Sequence, residues 1–283
     1  MKKYSFIIDV AKCENCNNCF LSCKDEHCGN DWPGYSKSQP LHGQRWMNIE
    51  TKERGVFPVI DVAYLAKPCQ HCDDAPCIRA GQGAVVKRPD GIVLIDQEKA
   101  KGRKNLAAAC PYGAIWWNEE LQLPQKCTFC AHLLDGGWRE PRCVQACPTG
   151  ALTILHGTDE ELAEVIRAEG LDVLDSGGLA TRPRCYYKNL HRFTSDCIIG
   201  SIATTINGIT ECVVGATVRL KDGKGVIAEQ ETDDFGDFKF DRLPLSRGDI
   251  GYELEVVYQN RIAATVRIFK DEPLTLETIW IER

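Results

Sequence analysis

Four closely spaced cysteines near the start of the chain constrain its fold more than any other feature. They are Cys13, Cys16, Cys19 and Cys23, with the spacing C-x2-C-x2-C-x3-C. Cysteines at this spacing hold [4Fe–4S] clusters: three thiolates surround one cluster, and the fourth ligates the other cluster of a pair. The run therefore predicts another group of cysteines with the reciprocal arrangement elsewhere in the chain.

Two later groups of cysteines have the spacing that is typical of ferredoxins. One is C-x2-C-x4-C followed at a distance by Cys-Pro, and the other is C-x2-C followed by C-x3-C-Pro. A Cys-Pro closes the ligand run of a bacterial ferredoxin. The eight cysteines of these groups are Cys69, Cys72, Cys77, Cys110, Cys127, Cys130, Cys143 and Cys147.

The crossed pairing of ferredoxin ligands divides the twelve cysteines into three sets, and we expect each set to hold one [4Fe–4S] cluster. The first set is Cys13, Cys16, Cys19 and Cys147; the second set is Cys23, Cys127, Cys130 and Cys143; the third set is Cys69, Cys72, Cys77 and Cys110. A fourth cluster would need cysteines at Gly81, Ala100, Arg103 and Leu106, and none stands there. Because all four losses fall on one site, we predict three complete clusters.

Disulfides and zinc are the structural alternatives for sixteen cysteines. The first residues lack the apolar segment of a signal peptide, which disfavours a secreted disulfide scaffold and favours the cytoplasm. Zinc sites pair two C-x2-C knuckles, whereas the first run has three cysteines at that spacing. His71 lies inside a ligand loop, where it can either tune a cluster by hydrogen bonding or satisfy a local carbonyl. Four further cysteines fall outside the three sets, and we expect them to be free or buried thiols: Cys28, Cys185, Cys197 and Cys212.

Composition excludes several other classes of protein. The net charge of −6 and the pI near 5.6, without a basic stripe, disfavour nucleic-acid binding. No apolar stretch approaches the 18 or so residues of a membrane-spanning helix, so we expect no membrane association. Neither a Walker loop nor a dinucleotide fingerprint is present.

Sequence patterns predict an α+β fold with two domains. Residues 1–197 form a ferredoxin-like domain with several clusters, and residues 198–283 form a small all-β sandwich of the immunoglobulin or transthyretin kind, without catalytic residues. In the first domain the predicted elements are a strand over 4–10, a helical segment over 20–28, a hairpin over 84–96, a helix from about 97 to 110, a strand over 151–155, a capped helix over 158–170 and a connecting segment over 175–197. In the second they are strands over 216–220, 226–232, 238–240, 252–258, 262–269 and 274–281.

Residues 29–54 are irregular and rich in aromatic side chains. An insertion of this size is usually functional, so we expect either a contact with another subunit or a lid over the clusters. In the first case Trp46 is the candidate anchor, because aromatic residues are enriched in interface cores.

The cysteine runs, in this order, resemble those of the iron–sulfur electron-transfer subunits of molybdopterin enzymes of the dimethyl sulfoxide reductase family, over residues 1 to about 155. A closer resemblance, over nearly the whole chain, is to the small subunits of pyrogallol–phloroglucinol transhydroxylases, which have three clusters and a C-terminal β-sandwich. The residues that carry this resemblance are 9–13, 32–35, 45–50, 90–96 and 186–190.

The resemblance implies a heterodimer from an anaerobic metabolism. Molybdopterin guanine dinucleotide, with molybdenum or tungsten, belongs to a large partner subunit that carries the catalytic site for phenolic rings such as pyrogallol. The cluster missing here is the one that membrane-linked relatives place farthest from molybdenum, so electrons would pass to the partner or to a diffusible carrier. Alternatives are a stand-alone polyferredoxin, a subunit of a related dehydroxylase or reductase, and a structural metal-bound adaptor.

Overall fold

The computed structural model describes residues 1–57, 59–244, 251–269 and 275–282, except for the side chain of Val56. Contacts divide the chain into two compact units: the first comprises Met1–Thr51 and Tyr64–Leu190, and the second comprises Lys52–Ala63 and His191–Arg283. This division differs from the boundary expected between residues 197 and 198: Arg54 pairs with Asp241, and Asp61 pairs with Arg192.

Short elements make up the chain as far as residue 190. The strands are β1 (Lys3–Asp9), β2 (Asn48–Val56), β3 (Val59–Lys67), β4 (Val85–Lys87), β5 (Val93–Ile95), β6 (Trp116–Asn118), β7 (Leu123–Gln125), β8 (Leu152–Gly157) and β9 (Cys185–Lys188). The helices are α1 (Asn18–His27), α2 (Pro76–Gly81), α3 (Asn105–Ala108), α4 (Ala131–Asp135), α5 (Arg142–Gln145) and α6 (Asp159–Glu169). Most helices of this part directly follow or contain a cysteine of the three sets.

Strand β1 is the middle strand of a three-stranded sheet with the order β8-β1-β9. It pairs antiparallel with β8 and parallel with β9, so that Phe6 lies opposite both Ile154 and Cys185. Phe6, Ile8 and Tyr187 of this sheet are fully buried. The sheet thus joins the segment before the first cysteine run to the segments after the last one.

Several sequence predictions for this part are confirmed: the strand over 4–10, the helical segment over 20–28, the hairpin over 84–96 and the strand over 151–155. The capping box is also present, because the Thr158 hydroxyl accepts from the Glu161 N–H and the Glu161 carboxylate accepts from the Thr158 N–H. Helix α6 then ends at Gly170 in a left-handed conformation, with φ of 60°.

Two predictions for this part are wrong. The helix expected from about 97 to 110 is reduced to α3, because the Asp96 carboxylate caps the N–H groups of Glu98 and Lys99 in a local turn and Gly102 then adopts φ of 76°. The segment over 175–197 is not a simple connector. Its strand β9 extends the sheet, and its Arg184 pairs with the carboxylates of Asp73 and Asp159.

The second unit contains one short helix, α7 (His191–Thr194), and two four-stranded sheets among its described residues. One sheet consists of β10 (Asp196–Ile206), β11 (Ile209–Cys212), β14 (Asp237–Leu243) and β17 (Ile279–Trp280); the other consists of β12 (Thr217–Asp222), β13 (Gly225–Glu231), β15 (Tyr252–Tyr258) and β16 (Arg261–Ile268). Side chains from both sheets, among them Ile198, Phe240, Val218 and Leu254, share one buried core. The immunoglobulin or transthyretin class of this unit stays a prediction.

Five of the six strands predicted after residue 198 are confirmed as β12 to β16. The sixth was expected to begin at Leu274, which lies outside the described residues, and a strand is present at β17. Strands β10 and β11 were not predicted. β10 is buried along most of its length, so it lacks the polar and apolar alternation by which a half-buried strand is recognised. Among the described residues no helix is long and apolar enough to cross a membrane.

A buried ion-pair network joins residues of β2 and β3 to β14 within the second unit. The Arg54 guanidinium, with 2% of its side chain exposed, pairs with Asp61 and Asp241. Asp61 also accepts from Arg192 and pairs with Lys239. Although burial raises it, the pKa of Asp61 is held well below its ordinary value by these hydrogen bonds.

We predict that Asp61→Asn lowers the free energy of local opening at this network by about 2–3 kcal/mol, since it leaves the Arg54 cation buried with one carboxylate fewer. Because the pKa of Asp61 is depressed in the folded protein, its contribution is present above about pH 4 and is lost as the pH falls further. Hydrogen exchange of β3 and β14 peptides at pH 7 and pH 3, corrected for intrinsic rates, measures the difference.

The matched control is Glu229→Gln, which removes an exposed ion pair with Arg219 in the same unit and should change local opening far less than Asp61→Asn does. Equal effects of the two substitutions at pH 7 would contradict the special role of the buried network.

Candidate metal centres

The four cysteines of the third set line one buried pocket. Cys69 and Cys72 stand in a loop, Cys77 lies in α2, and Cys110 follows α3. The rest of the wall is largely apolar and includes Ile115, and most side chains of the set belong to a common core. Burial raises the pKa of Cys72 to about 12 and that of Cys77 to about 11.

The four cysteines of the second set line another buried pocket, closed by Phe6, Met47 and Phe129. Cys23 comes from α1, Cys127 and Cys130 from the loop before α4, and Cys143 from α5. Burial raises the pKa of Cys127 to about 11 and that of Cys130 to about 12. Thiols must ionise to bind metal, so metal binding here has to release protons and offset this desolvation.

The first set is also brought together, and it is the most exposed of the three. Burial, followed by the neighbouring Cys13, Cys147 and Cys16, raises the pKa of Cys19 to about 12. Cys13 and Cys147 are half-buried and Cys16 is exposed, whereas every cysteine of the second set is buried. The structure therefore groups all twelve cysteines as the crossed pairing predicts, although ligation itself stays a prediction.

Backbone N–H groups point at sulfur in a repeated way. The backbone nitrogens of His71 and Phe129, each two residues after a cysteine, lie 3.5 and 3.4 Å from Cys69 Sγ and Cys127 Sγ. Both residues have positive φ, 43° and 59°, which turns the loop around the thiol. Such N–H donors stabilise a thiolate and tune the potential of a cluster that it binds.

The second and third pockets also contain buried polar atoms without a partner within the described ranges. They are His71 Nε2 and Gln70 Oε1 in the third pocket, and His27 Nδ1 and Thr128 Oγ1 in the second. Buried polar groups are normally hydrogen-bonded, so the donors among these atoms fit a group rich in acceptor sulfur. Four thiols with such donors nearby are a suitable site for a [4Fe–4S] cluster.

No three His, Cys, Asp or Glu side chains of the described chain converge closely enough to share a single metal ion. In a [4Fe–4S] cluster each cysteine binds a different iron, so its ligands stand further apart than those of one ion.

The four positions of the absent fourth set are filled by packed side chains. Ala100 and Leu106 are fully buried in the core that surrounds the third set. The Arg103 guanidinium donates to the Gly81 carbonyl at 2.8 Å. A Cβ on Gly81 would lie 2.7 Å from Val85 Cγ2, so a larger residue here would require Val85 to shift.

The aromatic insertion covers the second set, as the lid hypothesis predicted. Met47 lines the pocket, and the Gln39 amide donates to the Cys23 carbonyl at 3.2 Å. Trp46 is 2% exposed and its ring lies 4.7 Å from that of His27. Its role as an anchor for a partner is therefore wrong, because its side chain is already buried within the first unit.

Sequence reasoning missed the segment that closes the third set from the other side. The Arg182 carbonyl accepts from the Asp73 N–H, and the Gln70 carbonyl accepts from the Arg184 N–H. The Thr181 hydroxyl bonds the Tyr112 hydroxyl at 2.6 Å. Nothing in the sequence near 181–184 marks this role, since the contacts with Asp73 and Gln70 are made across more than 100 residues.

The four leftover cysteines lie outside the three sets. Cys185 and Cys197 are buried in strands, and burial raises the pKa of both. Cys28 is half-buried with its thiol near the Pro40 carbonyl, and Cys212 is exposed.

Comparison with known proteins places these sites in a family. A family profile described as a 4Fe-4S dicluster domain matches residues 60–156. The chain is 50% identical over 246 residues to the pyrogallol hydroxytransferase small subunit of Pelobacter acidigallici, with 86% of this chain and 88% of that protein covered.

Two further relatives share less of the sequence. A sulfite dehydrogenase subunit of Allochromatium vinosum is 34% identical, with 60% of this chain and 76% of that protein covered. A subunit of the anaerobic dimethyl sulfoxide reductase of Escherichia coli is 33% identical, with 53% and 72% covered. The resemblance expected from the cysteine runs is confirmed, and the chain belongs to the iron–sulfur subunits of the dimethyl sulfoxide reductase family.

Proposed function

We propose that this chain is an electron-transfer subunit whose three cysteine sets hold three [4Fe–4S] clusters for a separate molybdopterin subunit. A [4Fe–4S] cluster supplies one-electron transfer without making or breaking covalent bonds of a substrate. The chain's own residues bind the clusters, keep water away from them and set their potentials. No residue of this chain is assigned a catalytic role.

The observation that carries this proposal is that the second set adjoins both of the others. Cys23 of the second set and Cys19 of the first set stand one turn apart on α1. Phe129, which lines the pocket of the second set, packs against His71 in the pocket of the third set, with ring centroids 5.4 Å apart. Three adjoining sites suit stepwise electron transfer, whereas a purely structural role would not need them close together.

The exposure of the first set suggests the end at which the partner docks. Cys16 is exposed, and Leu21, on the helix that carries Cys19 and Cys23, is 57% exposed. The third set is covered by residues 181–184 and by the buried side chains of Ala100 and Leu106, at two positions of the absent fourth set. We propose that electrons enter or leave through the first set.

The 50% identity to a pyrogallol hydroxytransferase small subunit supports a partner that acts on phenolic rings. Its pterin would carry molybdenum or tungsten. In a transhydroxylation, which is redox-neutral overall, the chain would store and return electrons; in a hydroxylation or dehydroxylation it would pass them to a diffusible carrier. The cytoplasmic location expected from the sequence belongs to this proposal, and it is supported by the sixteen cysteines, none of which forms a disulfide among the described residues.

We predict about twelve iron atoms and twelve acid-labile sulfides per chain after anaerobic purification, because three [4Fe–4S] clusters require that number. Chemical iron and sulfide analysis, normalised by amino-acid analysis, measures it. A content of about sixteen of each would show a fourth cluster and contradict the packed fourth site, and zinc in place of iron would contradict the proposed function.

The ligand sets can be tested one at a time. Cys110→Ser should alter only the electron paramagnetic resonance signal of the third set, and Cys147→Ser only that of the first, since Cys110 lines the pocket of the third set and Cys147 lies next to Cys19 of the first. Cys212→Ser, at an exposed cysteine outside the sets, is the matched control and should alter none. If Cys110→Ser and Cys147→Ser changed the same signal, the crossed pairing would be wrong.

We expect the native protein to purify with a larger chain that contains molybdenum or tungsten. Leu21→Glu should weaken that association by about tenfold or more, because it replaces an exposed apolar side chain next to the first set with a charged one. Ile209→Glu, at a similarly exposed apolar residue in the second unit, is the control. Native mass spectrometry and metal analysis measure the association of both variants with the larger chain. A protein that purifies as a monomer, with no associated chain containing molybdenum or tungsten, would favour a stand-alone carrier.

A further inference from the structure

His71 occupies the loop between two ligands of the third set. It is 2% exposed, and its ring lines the pocket that the four cysteines of this set share. The backbone fixes its position, because φ of 43° turns the loop and the His71 N–H points at Cys69 Sγ. The ring packs edge-on against Phe129, with centroids 5.4 Å apart.

The protonation of the ring follows from its one hydrogen bond. The Val93 N–H donates to His71 Nδ1 at 3.0 Å, so Nδ1 is an acceptor and carries no proton. The ring proton therefore lies on Nε2. This nitrogen is buried and has no hydrogen-bond partner in the part of the chain that the structure describes. Of the two roles expected for His71, satisfying a local carbonyl is not the one observed.

A buried cation lies on the same wall. The Lys126 side chain is 3% exposed and lines the pocket, and its ammonium donates to the Cys127 carbonyl at 3.0 Å and to the Val93 carbonyl. Val93 thus orients both side chains, His71 through its N–H and Lys126 through its carbonyl. A donor and a positive charge stabilise the added negative charge of a reduced cluster.

We propose that His71 donates its Nε2–H to a sulfur atom of the cluster held by the third set and, together with Lys126, raises the reduction potential of that cluster. This inference rests on the proposed function. Reduction adds one electron to the cluster, and the Nε2–H strengthens its hydrogen bond without giving up the proton. The hydrogen bond from His71 acts on the third set, since the ring lines the pocket of that set.

His71→Asn is the decisive substitution. The Asn Oδ1 can take the place of Nδ1 and still accept from the Val93 N–H, but no atom of Asn reaches the position of Nε2. At a fixed potential, the ratio of reduced to oxidised third-set cluster should fall about tenfold. For a one-electron couple, this corresponds to a reduction potential that is lower by about 59 mV. The potentials of the other two clusters should stay unchanged.

A redox titration of the full-length protein, followed by electron paramagnetic resonance, measures these potentials, and the signal missing in Cys110→Ser identifies the third set. His156→Asn, at an exposed histidine stacked on Tyr4, is the control and should leave all potentials unchanged. An unchanged third-set potential in His71→Asn would overturn the inference while leaving the proposed function intact. A wild-type protein with no cluster in the third set would overturn both.

A second measurement needs no substitution that could disturb folding. In wild-type protein whose histidine rings are labelled with ¹⁵N, pulsed electron paramagnetic resonance of the reduced third-set cluster should show a ¹⁵N coupling and an exchangeable proton. Ring labelling leaves out the His71 backbone nitrogen, which also faces sulfur. The absence of the ¹⁵N coupling would overturn the inference even if His71→Asn failed to assemble.

Discussion

Desolvation of thiols is the constraint on which the rest of the first unit depends. Eight of the twelve ligand cysteines, with Cys19 of the first set among them, are buried, and burial raises the pKa of most of them to about 11 or 12 or higher. Without a cluster, such sites would leave buried donors such as His71 Nε2 unpaired. A bound cluster would require these thiols to ionise and would offer sulfur acceptors to these donors, so we expect cluster binding to be coupled to folding.

The crossed pairing turns this chemistry into architecture. Cys19 and Cys23 stand one turn apart on α1 and contribute to different sets, so a single short helix joins the first set to the second. Strand β1 leads into the first run and pairs with β8, which follows the last. At the positions of the absent fourth set, Ala100 and Leu106 pack into the core around the third set, and the Arg103 guanidinium donates to the Gly81 carbonyl. We therefore expect no further cluster beside the third set.

The cysteine sets could be predicted because their information is local: the spacing of a ligand run encodes the loop that wraps a cluster. The capped helix α6 and the 84–96 hairpin were predictable for the same reason. The role of Thr181 and Arg184, the packing of Trp46 against His27 and the orientation of His71 were not, since each depends on a contact with a residue distant in sequence. Strand β10 was missed because it is buried along most of its length.

We infer that the chain holds three [4Fe–4S] clusters, with the cluster of the second set between the other two. Anomalous X-ray diffraction at the iron edge, on crystals of the anaerobically purified protein, would locate the iron atoms. We expect three groups of four iron atoms, with the group next to Cys23 and Cys143 between the other two. Single metal ions at the cysteine sets, or a fourth group of iron atoms near Gly81 and Arg103, would contradict it.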